Sequence, residues 1–183
     1  GDGAAGTIFT SEGWEGRLEA HHGGDRLDGA VGVQFSDVDF GATGEEAFIS
    51  ATNTRDIGLF AVERYDLGFW GVEGGVRYEQ RDIDNATAGS RSFDNISASA
   101  GVFVRPAPHW FVGATLARTE RAPTAIELFA DGPHLATESY EIGDGDLSQE
   151  TATSIEASAR FNSGPLRFEV NLYRIAFEDY IAL

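Results

Sequence analysis

Apolar and polar residues alternate with a period of two along most of this chain. Between Trp70 and Tyr78 the even positions are apolar or glycine, whereas the odd positions include Glu73 and Arg77. A helix would distribute these charges around its axis, but a strand places them on one face. The same alternation recurs along the chain and predicts an antiparallel meander of about eight strands, roughly ten to thirteen residues long. The segments with this pattern are 14–21, 27–36, 57–65, 69–81, 95–104, 110–117, 154–161 and 166–173.

The predicted strands are long for a soluble protein, in which about five or six residues are usual. A tilted strand that crosses a bilayer needs about nine to eleven residues, which suits these segments. Tight connections at 22–25, 65–68, 106–109 and 162–165 alternate strictly with longer ones at 38–52, 83–92 and 120–150. In an up-and-down meander this alternation places every short turn at one end of the sheet, as in transmembrane barrels.

Aromatic residues gather near the short-turn end, where a membrane barrel carries an interfacial girdle. They are Trp14, Tyr65, Phe69, Trp70, Trp110 and Phe111. Alternation alone also fits a soluble β-sandwich or a small soluble barrel with its apolar residues inside. The membrane barrel is favoured by the strand lengths, by the loop asymmetry, and by a polar face that combines opposite charges. Examples of these opposite charges are Glu73 and Arg77, and Glu156 and Arg160.

Composition narrows the class of protein further. The chain has 183 residues, with 30 acidic and 13 basic side chains and a formal net charge of −17. All of the basic residues are arginine, so a solvated outer face rich in lysine is not expected. The acidic balance argues against nucleic acid as a partner and against a polybasic membrane patch. The absence of cysteine excludes disulfides, thiolate metal sites and a thiol nucleophile.

One segment, 116–150, carries a distinctive motif. It contains Arg-Ala-Pro-Thr at 121–124, Glu-Leu-Phe at 127–129, Gly-Pro-His at 132–134 and Leu-Ser-Gln-Glu at 147–150. In order and spacing, this segment resembles the barrel domain of TonB-dependent outer-membrane receptors. Shorter similarities to that family occur at 44–48, 75–79 and 177–181. The Gly-Pro-His variant most resembles the subgroup that includes zinc-uptake receptors.

The resemblance implies a barrel of about twenty-two strands, closed by an N-terminal plug, that imports a scarce nutrient across the bacterial outer membrane. The chain has about eight of these strands and no recognisable plug or TonB box, so we expect residues 1–183 to be a single barrel-wall fragment. Implied partners are outer-membrane lipid, the remaining strands and plug of the parent chain, and the TonB complex. The implied cargo is a metal, a metal chelate or another scarce nutrient.

A lipid-facing side follows from this interpretation. Its predicted members are Trp70, Val72, Ile96, Val102, Val112, Phe168 and Val170. Two other interpretations stay open at this point. One is a soluble β-barrel that binds a small apolar ligand inside, and the other is a complete small outer-membrane barrel, since eight strands can close.

The longest predicted connection carries the candidate ligands. His134, Glu138 and Glu141 form the candidate ligand-binding set, and His134, Asp144 and Asp146 the candidate metal set. Imidazole suits zinc, and loop carboxylates suit calcium, so either ion is a possible cofactor of the long loops. The alternative is that His134 packs in or caps a turn, because zinc needs three or four ligands. Aspartates beside glycines are, in the same way, ordinary turn residues.

No catalytic set is indicated by the sequence. The four histidines lie in predicted turns and loops, and no nucleophile-elbow pattern is present. Carboxylate pairs can be drawn almost anywhere in so acidic a chain, so they do not indicate a glycosidase. The sequence therefore predicts a protein that is not an enzyme.

Overall fold

The computed structural model describes residues 6–44, 47–134 and 139–182, and every structural statement concerns those residues. Eight antiparallel strands form one sheet, in the order β1-β2-β3-β4-β5-β6-β9-β10, and β7 and β8 form a separate hairpin. The strands are β1 Thr7–Gly23, β2 Leu27–Gly44, β3 Thr52–Asp66, β4 Trp70–Asn85, β5 Gly89–Val104, β6 Trp110–Arg121, β7 Asp131–His134, β8 Ser139–Ile142, β9 Glu150–Ser163 and β10 Leu166–Glu178. A short helix, α1 (Ala125–Phe129), precedes β7. The predicted all-β meander is confirmed.

The sheet has one apolar face and one charged face. Trp70 lies opposite Val104, Val72 opposite Val102, and Tyr78 opposite Ile96 in the β4–β5 register. The registers of β6, β9 and β10 continue the same face through Val112, Ala159 and Val170. All seven residues predicted to face lipid share this face, and all are exposed. The intervening residues form the charged face.

The strands are longer than predicted, because they continue past the apolar residues. On the apolar face of β4, the apolar stretch runs from Trp70 to Tyr78, and Gln80, Asp82 and Asp84 follow in the same strand. That stretch measures about 26 Å at about 3.3 Å per residue. Tilted by about 40°, it covers about 20 Å, close to the apolar band of a membrane barrel. The apolar face is therefore a band of limited height with polar strand ends beyond it.

One predicted loop is wrong. The segment 83–92 was expected to be a long connection, but β4 and β5 stay paired up to Asn85 opposite Gly89. The Asn85 side chain explains the tight turn, since its Oδ1 accepts hydrogen bonds from the backbone N of Thr87 (3.1 Å) and Ala88 (2.9 Å). Gly89 then adopts a φ of 96°, which glycine tolerates. The strict alternation of short and long connections fails at this position.

Two buried apolar clusters lie on the charged face, at the end of the sheet opposite the turns at 24–26, 67–69 and 105–109. Ile83 and Phe93 of the sheet pack there with Ala122 and Leu128. A second cluster, Phe48 with Ile49 and Ala130, packs beside it against Phe40 and Ala42. Within the described ranges, no helix is long and apolar enough to cross a membrane. The core therefore belongs to connections that fold over the sheet.

Candidate functional site

The described residues of the connection between β6 and β9, 122–134 and 139–149, fold back over the charged face. Leu128 in α1 is buried against Ile83 and Phe93, which occupy charged-face positions of β4 and β5. Farther along, Ala130 packs on Phe48 from the connection between β2 and β3. The two connections thus pack together over the charged face of the sheet. We call these described residues, 122–134 and 139–149, the inward connection.

The start of the inward connection is fixed by a capping box. The backbone N of Glu127 donates to Thr124 Oγ1 (3.3 Å), and the backbone N of Thr124 donates to Glu127 Oε2 (2.6 Å). These reciprocal bonds satisfy donors that a helix start leaves free. Pro123, which is buried, stands just before the cap, where its fixed backbone suits the entry to the helix.

The end of α1 is closed by glycine. The backbone N of Gly143 donates to Ala130 O (2.7 Å), and Asp144 N donates to Glu127 O (2.9 Å). A Cβ on Gly143 would lie 2.7 Å from the Leu128 carbonyl carbon, so a side chain does not fit. These contacts explain why glycine suits position 143 of this chain.

An ion-pair network joins the inward connection to the wall. Arg121 donates to Glu127 (2.9 Å) and to Glu150 (3.4 Å), and Glu150 also accepts from the backbone N of Ile181 (3.0 Å). Burial raises the pKa of Glu127, but hydrogen bonds from Arg121 and Thr124 outweigh it and hold that pKa below its usual value. The end of β6, the helix and the start of β9 are therefore tied through one arginine.

The β7–β8 hairpin has a packed back and an exposed front. Gly132 lies against Phe48, and a Cβ at this glycine would come within 2.8 Å of the Phe48 Cα. On the front, Tyr140 and Ile142 are 61% and 72% exposed. Tyr140 donates to Asp131 Oδ1 (2.9 Å), which raises the pKa of the phenol. The hairpin thus presents an aromatic and aliphatic surface.

The candidate ligands predicted from the sequence are placed as follows. Glu138 lies outside the described residues, and for His134 only the backbone, at the end of β7, is described. Glu141 lies in β8 opposite Gly132. Asp144 Oδ1 accepts from the backbone N of Asp146 (2.8 Å), as in a turn.

The described part of the chain holds no group of three or more histidine or acidic residues placed to bind a metal. Because Glu138 and the His134 side chain lie outside the described residues, the ligand-binding and metal sets stay predictions. The Asp144 carboxylate already serves the turn, which is the ordinary role of aspartate beside glycine.

The charged face is ion-paired. Arg77 pairs with Glu79, Arg64 approaches Glu73 (3.9 Å), and Arg160 pairs with Glu169 (3.4 Å). Residues four apart on one strand, such as Glu73 and Arg77, share this face but are separated by about 13 Å. Neighbours on the same face, two apart or across strands, are closer.

A cluster of arginines and aromatic rings near the short turns was missed by the sequence analysis. Phe103 is buried between the guanidinium groups of Arg64 (4.3 Å) and Arg105 (4.9 Å) and stacks on Phe111 at 5.5 Å. Arg105 also donates to both carboxylate oxygens of Asp66. The available signal was that both phenylalanines fall on charged-face positions.

The sequence that forms these two faces and the inward connection matches the profile of a known family. The family profile described as "TonB dependent receptor-like, beta-barrel" matches residues 3–183. The chain belongs to the TonB-dependent receptor family. Its eight-stranded sheet is the barrel-wall part of that fold, and β1 and β10 each pair with one strand only in the described structure.

Solved structures of large transporters share the fold. The copper transporter OprC matches with a TM-score of 0.80 and 18% identity over 95% of this chain and 31% of its own. The FrpB iron transporter of Neisseria meningitidis (F3-3 variant) gives 0.72 and 18% over 95% and 29%. The Serratia marcescens hemophore receptor HasR, a double mutant in complex with its hemophore HasA and heme, gives 0.77 and 17% over 95% and 34%. This TonB-dependent receptor chain thus spans about a third of the length of the solved structures it matches.

Proposed function

We propose that the chain is a wall segment of an outer-membrane active-transport receptor that imports a metal, a metal chelate or another scarce nutrient. The observation that carries this proposal is a sheet with a continuous, exposed apolar band on one face and an ion-paired charged face on the other. A water-soluble sandwich would bury the apolar band. The role is transport, and no catalytic activity is proposed.

The orientation of the wall follows from the two faces. The apolar band would meet lipid, and the charged face would line the interior, where the plug of the parent receptor would pack. Trp14, Trp70 and Trp110 lie on the apolar face and provide the interfacial anchors that barrels use. The polar strand ends and the inward connection would then lie on the outer side of the membrane.

Residues 1–183 would form one fragment of a larger wall. Among the described residues, β1 and β10 each pair with one strand only, and a membrane barrel closes such edges with further strands. In the proposal those strands, the plug and the contact with the TonB complex belong to the parent receptor.

The cargo would meet the inward connection, which folds over the interior face. The related structures are of a copper transporter, an iron transporter and a hemophore receptor in complex with its hemophore and heme. This likeness supports a metal or a metal chelate as the cargo class for this chain. Within the connection, His134, Glu138 and Glu141 are the proposed ligand contacts, and His134, Asp144 and Asp146 the proposed zinc or calcium ligands.

The lipid-facing orientation is tested with the natural tryptophans. The chain has three tryptophans, all on the apolar face, so no label is needed. In vesicles that contain brominated lipid, we expect strong quenching of Trp70 and Trp110 emission, each measured with the other two tryptophans replaced by phenylalanine. A soluble barrel with an interior ligand site would show no quenching by brominated lipid, and that result would refute the proposal.

Transport is tested in a bacterium that carries the complete receptor. Deleting the gene should lower cell-associated copper, iron, zinc or heme iron during scarcity, measured by mass spectrometry with the metal salt and its chelates supplied separately. The intact gene should restore uptake, and a gene without residues 122–149 should not. Unchanged levels of every metal would refute the metal cargo.

A further inference from the structure

Strands β5 and β6 pair along only part of their lengths. Their ladder ends at Ala98 opposite Arg118, although β5 continues along β4 to Gly89 and β6 continues along β9 to Arg121. Beyond Ala98 the sheet therefore divides into a first leaf, β1–β5, and a second leaf, β6 with β9 and β10. We call this division, between residues 89–97 and 119–121, the seam.

Side chains replace the missing ladder in the seam. The backbone N of Ile96 donates to Glu120 Oε2 (2.8 Å), and the backbone N of Glu120 donates to Ser97 Oγ (3.2 Å). Backbone groups at a strand edge need partners, and here a carboxylate and a hydroxyl provide them. Glu120 also accepts from Arg118 (2.6 Å), which holds its carboxylate in place.

The inward connection fills the upper part of the seam. Gln149 Nε2 donates to Asp94 O (3.0 Å), and a guanidinium N of Arg91 donates to Leu147 O (2.9 Å). The end of the connection thus lies against the free edge of β5, where a strand would otherwise pair. These are side-chain bonds, which separate without breaking a backbone ladder.

One buried polar side chain of the seam lacks hydrogen-bond partners among the described residues. Asn95 is 2% exposed, and its amide O and N make no hydrogen bond to any described residue. A buried polar group without a partner costs stability, so apolar residues usually occupy such positions. The free edge beside Asn95 is therefore less stable than the paired sheet around it.

The inward connection is attached to both leaves by different forces. Its apolar side packs on Ile83 and Phe93 of the first leaf. Its polar side is bound to the second leaf through Arg121, Glu127 and Glu150. A change in the separation of the leaves must therefore displace the connection from one of its two attachments.

We propose that the seam is a hinge in the barrel wall, closed by the Glu120 carboxylate, and that the inward connection moves when the leaves separate. The seam begins where the apolar band ends, since Ile96 is the last apolar residue on that face of β5 and Asp94 follows. The two leaves can thus separate outside the bilayer while the paired part within it stays intact. The wall itself would then take part in opening the path over the charged face.

Hydrogen–deuterium exchange of the full chain in detergent micelles tests the hinge. In Glu120→Ala, we expect exchange in residues 94–97 to rise about tenfold, because a hydrogen bond to a charged acceptor is lost. In Glu120→Gln the rise should be smaller, because the amide oxygen still accepts. Residues 98–104, which keep their ladder, should change less than about twofold, and so should every segment in the control Glu156→Ala.

The same data test the coupling. If the connection moves with the seam, exchange in residues 125–129 and 147–149 should rise in Glu120→Ala together with 94–97. Exchange confined to 94–97 would overturn the coupling, and unchanged exchange there would overturn the hinge. A second variant works in the opposite direction, since Asn95→Leu should slow exchange across the seam by removing the unsatisfied amide. Faster exchange in Asn95→Leu would also count against the hinge.

Discussion

Removal of the Arg121 side chain should release the inward connection while leaving the sheet intact. Arg121 is the only described cation that contacts both Glu127 and Glu150, whose side chains are 13% and 11% exposed. In Arg121→Ala, two largely buried carboxylates lose their arginine partner. A hydrogen bond to a charged group contributes about 1.5–3 kcal/mol, and the arginine side chain is itself partly exposed, so we expect a loss of about 2 kcal/mol.

That loss corresponds to roughly a thirtyfold rise in the opening equilibrium of the connection. Exchange of the amides in residues 124–130 measures this rise directly, and limited proteolysis within 122–149 should accelerate in parallel. Arg121→Lys should recover part of the protection, since a single ammonium cannot reproduce the two-sided contact.

The matched control is Arg55→Ala, which removes a more exposed ion pair with Asp37 on the polar strand ends. Such surface pairs contribute about 0–1 kcal/mol, so the connection should stay protected. Equal effects of the two variants, or no effect of Arg121→Ala on residues 124–130, would show that apolar packing alone fixes the connection.

Three further predictions concern the same region and the β4–β5 hairpin. Because the pKa of Glu127 is lowered in the folded state, its contribution to the stability of the connection is fully present above the usual carboxyl pKa. That contribution is lost as the pH falls through the lowered value. Hydrogen exchange in α1, followed during an acid titration, should show this loss, and Glu127→Gln should abolish the pH dependence. Gly143→Ala should destabilise the connection by about 1–3 kcal/mol, because its Cβ would meet the α1 backbone, whereas Gly145→Ala, which meets nothing within 4 Å, should have little effect on proteolysis. Asn85→Ala should loosen the 86–88 turn by about 1–2 kcal/mol, and faster exchange at Thr87 and Ala88 is the expected sign.

The strands and their faces could be predicted because alternation is strong where one side is apolar. Within the apolar band of β4, Trp70 and Val72 contrast with Glu73, and the period is plain. Beyond the band both faces are polar, as at Asp82 and Asp84, and the period gives no signal. For this reason the sequence predicts shorter strands than the structure has, and it predicts a loop at 83–92 where a hairpin forms.

The contacts of the site were harder to predict than its location. The motif correctly indicated that 116–150 is a special segment, but Arg121 and Glu150 are separated by 29 positions and meet only through the fold. The partners in the ion pairs could not be predicted for the same reason, since spacing along a strand does not report cross-strand distance. Glu120 gave no signal, because its role depends on where the β5–β6 ladder ends.

The pairing order of the large sheet bears on how the wall assembles. Neighbouring strands are joined by connections of two to seven residues, except β6 and β9, between which 28 residues of chain intervene, from 122 to 149. Short loops close at low entropic cost, whereas this long one is costlier and slower unless it condenses first. We expect β1 to β6 to pair first, as successive hairpins. Strand β9 should pair with β6 only after Leu128 packs against Ile83 and Phe93. Assembly of the wall would then include an ordered step, in which the connection must fold before β9 and β10 can join the sheet.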